Sequence, residues 1–207
     1  MKNIYGFGEI YKNIISLIYT KIFYKGARLI RRPIYVRGKK FLKYGAGFST
    51  GYNCRIEMFD TEQGEEKKLI LGENCKIGDY VHIAVAEKVT IGNNVLLGSK
   101  VLISDLNHGI YNDNTYQSSP NIPPDNRPIY SKPVYVGDNV WIGDNVCILQ
   151  GVNIGKGCII GANSVVNKDF PDNCIVAGSP AKIIKVYNES KKKWEKFDGN
   201  IKNQNIN

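Results

Sequence analysis

The chain has 207 residues and carries 28 Lys and Arg against 19 Asp and Glu, which gives a formal net charge of +9 at pH 7. This length fits one domain with a substantial core and is short for two. A basic surface can bind nucleic acid, anionic lipid or an acidic small molecule. Because the sequence contains no nucleic-acid-binding motif, we expect no nucleic-acid partner.

The N-terminal segment, residues 1–34, is predicted to be helical and basic. Residues 10–32 alternate apolar clusters with Lys and Arg, and no acidic residue occurs between positions 10 and 56. Lys21 interrupts the longest apolar stretch, so we expect no transmembrane span of about 20 residues. The segment has no small-residue cleavage site, so we expect no signal peptide. Two interpretations stay open. The helix packs its apolar side on the end of the domain, or it lies on an anionic membrane as an interfacial helix.

Residues 35–185 are predicted to form the main domain because their apolar residues recur every six positions. In residues 136–171, six consecutive hexads begin with an aliphatic residue: Val136, Ile142, Ile148, Ile154, Ile160 and Val166. A glycine follows four of these residues, and small or medium side chains fill the fifth position. A second run of hexads extends from Leu71 to Ile103, with a two-residue slip at Val89-Thr90. Irregular coils at residues 35–60 and a polar loop at residues 61–68 precede it.

A period of six matches neither a helix nor a simple strand. It suits a chain in which three short strands make one triangular coil, with the first position of each hexad pointing inward. The glycine that follows is expected to allow a corner geometry that a Cβ would hinder. The predicted fold class is therefore all-β, a parallel β-solenoid. Cys75 and Cys158 occupy the small fifth position, which indicates buried free thiols and a reducing compartment rather than disulfides or a metal site.

Two segments depart from the repeat. Residues 109–134 form a long loop excursion that contains Pro120, Pro123, Pro124 and Pro128. Such a loop inside a compact repeat fold is uncommon and usually functional, and its prolines lower the entropy lost on holding one shape. Residues 186–207 form a polar, lysine-rich tail that is expected to fray.

The chain has two histidines, His82 and His108, both at the sixth position of a hexad. Their spacing predicts different corners of the coil. His108 opens the long excursion, whereas ordinary repeat follows His82. An alcohol that attacks a thioester needs a base that is largely neutral near pH 7 and can take a proton, which describes imidazole. His108 is therefore the candidate base, with a surface corner histidine as the alternative, and His82 is expected to be structural.

The string ISDLNHGIY at residues 103–111, with SSPNIPPDNRPIYSK and the hexads after it, resembles the hexapeptide-repeat acyltransferases. The likeness spans residues 69–185 and is to the sugar O-acetyltransferase branch that modifies capsule, O-antigen or exopolysaccharide. It implies a left-handed parallel β-helix, a homotrimer, acetyl-CoA as co-substrate and a sugar or glycan acceptor. It also implies that His108 is the general base, and that Asn107 and Asp105 shape the acceptor pocket or orient the ring. Leu106 stands where many relatives carry a second histidine.

The resemblance also implies a set of acetyl-CoA contacts. Trp141 would lie beside the pantetheine arm, the backbone at Asp144 and Ala162 would contact the same ligand, and Asn167 with Lys168 would lie near the nucleotide. Lys182 and Lys185 would meet the phosphates, with weaker binding where relatives carry arginine, because lysine lacks bidentate geometry. Solvated lysines and a packing role for Trp141 are the alternatives. We expect direct attack in a ternary complex, with a backbone N–H stabilising the oxyanion.

Three rival functions compete with this interpretation. Zinc-dependent hydration of carbon dioxide needs three His ligands, and the chain has only two His. N-acetylation of an amino-sugar nucleotide is the alternative enzyme, although the additional nucleotide-binding domain of some such enzymes has no counterpart here. A scaffold or glycan-binding module is the non-enzymatic alternative. For an O-acetyltransferase we expect a cytoplasmic location, with peripheral contact to the inner face of the membrane where lipid-linked glycans are built.

Overall fold

The computed structural model describes residues 5–60, 67–111, 113 and 115–199. The predicted polar loop at residues 61–68 lies mostly outside these residues. The helices and strands follow in chain order: α1 (Phe7–Phe23), β1 (Leu29–Ile30), β2 (Ile34–Arg37), β3 (Leu42–Tyr44), β4 (Ser49–Thr50), β5 (Cys54–Met58), β6 (Leu69–Leu71), β7 (Lys76–Ile77), β8 (His82–Val85), β9 (Val89–Ile91), β10 (Leu96–Leu97), β11 (Leu102–Ser104), β12 (Leu106–His108), β13 (Ile129–Ser131), β14 (Val134–Val136), β15 (Trp141–Ile142), β16 (Cys147–Ile148), β17 (Asn153–Ile154), β18 (Ile159–Ile160), β19 (Val165–Val166), β20 (Cys174–Gly178), β21 (Ala181–Asn188) and β22 (Lys193–Lys196). Short 3-10 turns occupy Lys39–Phe41 and Pro124–Asn126.

Three sheets of parallel strands receive the chain in rotation. Sheet A contains β1, β4, β7, β10, β15, β18 and β20, sheet B contains β2, β5, β8, β11, β16 and β19, and sheet C contains β3, β6, β9, β14 and β17. Three consecutive strands thus make one circuit, and each circuit pairs in parallel with the next at the usual strand spacing of about 4.8 Å. The predicted all-β class with parallel strands is confirmed.

The core is the stack of residues that begin the hexads. The six aliphatic residues of the run at residues 136–171 are each no more than 3% exposed: Val136, Ile142, Ile148, Ile154, Ile160 and Val166. Cys158 and Ser164, at the fifth position, are fully buried as well. Burying one Val or Ile side chain stabilises a fold by about 1.5–3 kcal/mol, so the repeated stack accounts for the fold's main stabilisation.

The glycines of the hexads serve a purpose different from the predicted one. A Cβ on Gly143 would lie 2.7 Å from the backbone nitrogen of Ala162 in the next coil. The glycine is needed because neighbouring coils approach closely there. The left-handed turn falls two residues later, at Asn145, which has φ +57°; asparagine tolerates this region better than most residues.

The N-terminal segment corrects two expectations. The helix ends at Phe23 rather than near residue 32, because Gly26 adopts φ +89° and the Arg28 N–H then bonds the carbonyl of Phe48 to begin sheet A. The buried residues of α1 are Ser16 and Thr20, so the helix packs a polar side, not its apolar side, on the coil. Within the described part of the chain, no helix has the length and apolarity needed to cross a bilayer.

The C-terminal segment is ordered further than expected. β21 continues to Asn188, and β22 pairs with it antiparallel, extending sheet A. Tyr187 and Trp194 face each other across this pair with ring centroids 5.2 Å apart. The prediction of a frayed tail is therefore wrong for the residues up to Lys196, because an aromatic pair and a strand ladder hold them.

Candidate functional site

An antiparallel hairpin leaves the coil between sheet B and sheet C. β12 pairs with β13 so that Asn107 lies opposite Tyr130 and His108 opposite Ile129. The excursion predicted at residues 109–134 thus starts three residues earlier, at Leu106, and its base is regular rather than irregular. The hairpin holds the backbone of His108 at a fixed place beside the coil.

His108 is exposed, and its backbone is held from two sides. Its carbonyl accepts a hydrogen bond from the Tyr111 hydroxyl at 2.6 Å, and that hydroxyl oxygen accepts one from Arg127 Nη1 at 2.8 Å. Gly109 has φ +118°, and a Cβ there would lie 2.5 Å from the Tyr111 oxygen. Among the described residues the His108 ring has no hydrogen-bond partner, so the chain presents an exposed imidazole on a fixed backbone.

The Asp105 side chain bonds a turn of the coil beside the hairpin. It is fully buried, and its carboxylate accepts the backbone N–H groups of Ala86, Glu87 and Lys88 at 2.7, 2.8 and 2.7 Å. Burial raises the pKa of Asp105, and these three N–H groups oppose the rise. The side chain therefore secures the turn below the hairpin, and any influence on His108 passes through the backbone.

Ser104 lies directly before Asp105 at the end of β11, and Asn107 lies two residues after it on β12. Asn107 is exposed, as a residue that contacts an acceptor would be. The Ser104 hydroxyl donates to the carbonyl of Leu106 at 3.3 Å, so it is bonded within the turn that begins the hairpin.

Trp141 lies in a cross-strand row on the outside of sheet A. The register pairs Trp141 with Ile159, Ile159 with Ile175, and Ile175 with Lys185. Trp141 is 52% exposed. Three strand steps of about 4.8 Å place the backbone of Lys185 roughly 14 Å from the backbone of Trp141. An apolar row thus connects an exposed indole to an ammonium group.

Asp144, Ala162 and Lys182 follow the edge where sheet A turns into sheet B. The Asp144 carboxylate accepts the N–H of Ser99 at 2.6 Å, which secures the turn of the preceding coil. Lys182 pairs with Ala177, and Ala177 stacks on the turn that holds Ala162. The structure therefore brings these three residues together with Trp141 and Lys185 on one side of the chain.

Asn167 and Lys168 lie at a different edge. Ile103, Ile148 and Val166 are cross-strand partners on sheet B in three successive coils. After each of them the chain turns from sheet B towards sheet C. Asn167 and Lys168 form the last of these turns, and the hairpin with His108 leaves from the first. Two strand steps, roughly 10 Å, separate the two turns along the axis. His108 thus shares an edge with Asn167 and Lys168 and not with Trp141.

A buried carboxylate that the sequence did not reveal lies near His82. Glu57 is 4% exposed, and its Oε2 accepts hydrogen bonds from Arg55 Nε at 2.5 Å and from the His82 ring at 3.2 Å. The Arg55 hydrogen bond lowers the pKa of Glu57, with a smaller contribution from His82. His82 therefore has a structural partner on sheet B, as the expected structural role implies. The signal that could have revealed this contact is the coil register, which places Arg55 beside His82.

Metal ligands do not gather anywhere in the described ranges, where no group of three or more His, Cys, Asp or Glu could hold an ion. All five cysteines are free thiols, and Cys54, Cys75, Cys158 and Cys174 are buried. The exposed indole of Trp141 and the exposed Lys182 and Lys185 on sheet A could bind an anionic co-substrate.

The sequence and the fold both match known proteins. The family described as "Bacterial transferase hexapeptide (six repeats)" matches residues 133–168. "Putative lipopolysaccharide biosynthesis O-acetyl transferase WbbJ" of Escherichia coli K12 is 42% identical over 192 residues, which cover 93% of this chain and 95% of that protein.

Two solved structures share the fold. The polySia-specific acetyltransferase NeuO has 27% identity and a TM-score of 0.53, with 83% of this chain and 68% of that chain covered. A mutant of AntD, an N-acyltransferase from Bacillus cereus in complex with dTDP and Coenzyme A, has a TM-score of 0.57 with 92% of this chain and 94% of that chain covered. Its identity of 22% supports the fold alone.

Proposed function

Because the chain belongs to the hexapeptide-repeat acetyltransferases, we propose that it moves an acetyl group from acetyl-CoA to a hydroxyl of a sugar in a cell-surface polysaccharide or its precursor. The observation that supports this function most directly is the exposed His108 ring, mounted on a hairpin that Tyr111 and Arg127 brace. An acyl acceptor needs such a base beside a free surface.

The chemistry is a direct transfer. Neutral His108 takes the proton of the sugar hydroxyl as its oxygen attacks the thioester carbonyl, and a backbone N–H stabilises the oxyanion. The C–S bond then breaks, and the protonated imidazole returns its proton to the departing thiolate, giving CoA and the acetylated sugar. Asn107, beside His108 on the same strand, contacts the acceptor. A positioned base of this kind contributes about 10²–10⁴ in rate.

The division of the site between two edges supports assembly into a homotrimer. His108, Asn167 and Lys168 lie at the edge between sheets B and C, whereas Trp141 and Lys185 lie on sheet A. In a cyclic assembly, one edge of each copy meets a different surface of the next copy. Acetyl-CoA then lies in the crevice between copies, with its pantetheine arm at Trp141 and its phosphates at Lys182 and Lys185. We also propose that the coil is left-handed, as it is in the hexapeptide-repeat family.

The test of the activity is thiol release from acetyl-CoA with a panel of sugars and lipid-linked glycans. His108→Ala should lower kcat by about 10²–10⁴ without a change in the melting temperature. His82→Ala is the matched control, because it removes the other imidazole of the chain, and it should leave turnover close to wild type. Equal turnover in the wild type and His108→Ala would contradict the mechanism. Transfer to amines alone would favour the N-acetyltransferase, and no transfer to any acceptor would favour a scaffold.

The test of the trimer uses two inactive variants. His108→Ala and Trp141→Ala each damage one edge, so a mixed assembly contains some crevices with both edges intact. Random mixing of equal amounts should restore about a quarter of the wild-type activity in a cyclic assembly. Sedimentation analysis should give three times the chain mass. Recovery no greater than the sum of the two variants would place the whole site within one chain.

We also propose that the enzyme works in the cytoplasm and makes peripheral contact with the inner face of the membrane, where lipid-linked glycans are assembled. Residues 10–56 support that location because they contain many Lys and Arg and no Asp or Glu.

A further inference from the structure

The face of α1 that points away from the coil is apolar along its whole length. Phe7, Tyr11, Ile15, Ile18 and Ile22 recur at intervals of three or four residues and form a single stripe, termed here the outer stripe. Their exposures are 95%, 65%, 36%, 55% and 60%. Apolar helix stripes normally face a core, so this helix is turned the opposite way.

Hydrogen bonds to the coil lock that orientation. The buried Thr20 hydroxyl accepts the N–H of Ile30 at 2.8 Å and donates to the carbonyl of Ser16 at 2.6 Å. The Ser16 hydroxyl accepts the N–H of Arg32 at 3.3 Å. Turning the helix inward would leave the buried N–H of Ile30 without its acceptor, which costs free energy. The exposure of the outer stripe is therefore built into the docking of the helix.

An apolar groove continues the exposed surface on one side of the helix. It has a volume of about 370 Å³ and lies between α1 and β1, lined mainly by Ile10, Ile14, Leu17 and Leu29, with Arg28 among its lining residues. Apolar walls beside a guanidinium group match the two parts of an anionic phospholipid, its acyl chain and its phosphate.

The charges around the outer stripe are all positive. At 100° per residue, Lys12 and Lys21 fall on opposite flanks of the stripe, and Lys25 and Arg28 follow the helix. Glu9, the acidic residue of the helix, lies on the coil side and accepts the N–H of Gly6. A second copy of this face would bring like charges together without an acidic partner. An anionic lipid surface complements both the charge and the apolar stripe.

We propose that α1 lies in the headgroup region of an anionic membrane, with the outer stripe facing the acyl chains. Each Lys or Arg near an anionic surface contributes about a five-fold factor in partitioning. The coil then stands on the membrane by its N-terminal end. Membrane binding by α1 does not depend on the proposed acetyl transfer. Only its use, which is to bring the enzyme close to a lipid-linked acceptor, rests on that proposed function.

The experiment is flotation of the full-length protein with phosphatidylcholine vesicles, with and without about one third phosphatidylglycerol. We expect the protein to bind the anionic vesicles at least about 25-fold more tightly than the neutral ones, and most of this binding to be lost in high salt. Ile18→Asp with Ile22→Asp should abolish flotation, whereas Lys12→Gln with Lys21→Gln should weaken it about 25-fold on anionic vesicles only. Tyr135→Asp, which changes a 42%-exposed aromatic on β14, is the matched control and should float like wild type.

Circular dichroism melts of each variant show whether it folds. No flotation of the wild type, or equal flotation of a folded Ile18→Asp, Ile22→Asp variant, would overturn the proposal. A change in oligomeric state in that variant, with flotation unaffected, would also overturn it, because the stripe would then cover a neighbouring copy. Since no acetyl-CoA or acceptor is present, an inactive enzyme would leave this result unchanged.

Discussion

Replacing Asp105 by alanine should destabilise the fold more than any other single change near the hairpin. The carboxylate accepts three backbone N–H groups of the turn between β8 and β9, all within 2.8 Å. Leaving one buried donor unsatisfied costs about 1–3 kcal/mol. Three such donors cost at least about 3 kcal/mol, a large fraction of the roughly 5–15 kcal/mol that stabilises a typical domain.

Thermal unfolding followed by circular dichroism measures this loss. For a chain of this size 1 kcal/mol corresponds to about 2–4 °C, so Asp105→Ala should melt roughly 6–12 °C lower. Asp105→Asn should melt at a temperature between those of the wild type and Asp105→Ala, because its amide keeps one oxygen acceptor and turns a donor towards another N–H. Asp125→Ala removes an exposed carboxylate of the same excursion and should stay within about 2 °C of wild type.

The pH dependence of this site has a defined sign. Burial raises the pKa of folded Asp105 above the unfolded value, so its ionisation opposes folding. The contribution of this group to stability is greatest at acid pH and declines as pH rises through the interval between the two pKa values. If Asp105→Ala melted with wild type but shifted the pH profile of kcat, Asp105 would orient the His108 ring instead, and the structural reasoning would be refuted.

Three further changes test other parts of the site. Tyr111→Phe removes the donor to the His108 carbonyl and should lower kcat about five- to ten-fold with little change in melting, since the bond is exposed; an unchanged kcat would contradict the bracing role. Lys185→Met should raise KM for acetyl-CoA about five-fold while the same change at Lys76, two strands before Trp141 in sheet A, leaves it unchanged. Glu57→Gln should lower the urea midpoint at pH 7. The pKa of folded Glu57 lies below 4.5. The difference in urea midpoint between the wild type and Glu57→Gln is therefore complete above about pH 4.5 and vanishes below the folded pKa. A difference that stays constant with pH would exclude the ion pair as its cause.

The hexad period predicted the core almost residue by residue. An inward position that recurs every six residues must be apolar in every coil, so a single sequence contains the same information many times over. Val136 through Val166 and Leu71 through Ile103 illustrate this, and all first-position aliphatics of both runs are buried. The period could not show why Gly143 is required, because the close contact is with Ala162, one coil further along the chain.

The orientation of α1 was hidden for a related reason. Binary patterning predicts that an apolar stripe faces the core, and only the hydrogen bonds of Ser16 and Thr20 to residues 30 and 32 reveal that the polar side docks. Such bonds join positions that no local pattern connects. Where local pattern and tertiary structure disagree, a functional site is the expected reason, and the outer stripe fits that expectation.

The candidate site shows the same division between pattern and position. The residues proposed to contact acetyl-CoA and the proposed base could be named from motifs, but motifs do not tell which edge of a three-sided coil each residue occupies. That assignment needs the register: Trp141 and Lys185 fall on sheet A, while His108 leaves the chain at the edge between sheets B and C. A thioester held at Trp141 therefore lies across an edge of its own chain from His108. A base acts only within hydrogen-bond reach of the proton it takes, so we propose that the imidazole serving this thioester comes from a neighbouring copy whose hairpin faces sheet A. The recovery of activity on mixing His108→Ala with Trp141→Ala follows from this geometry.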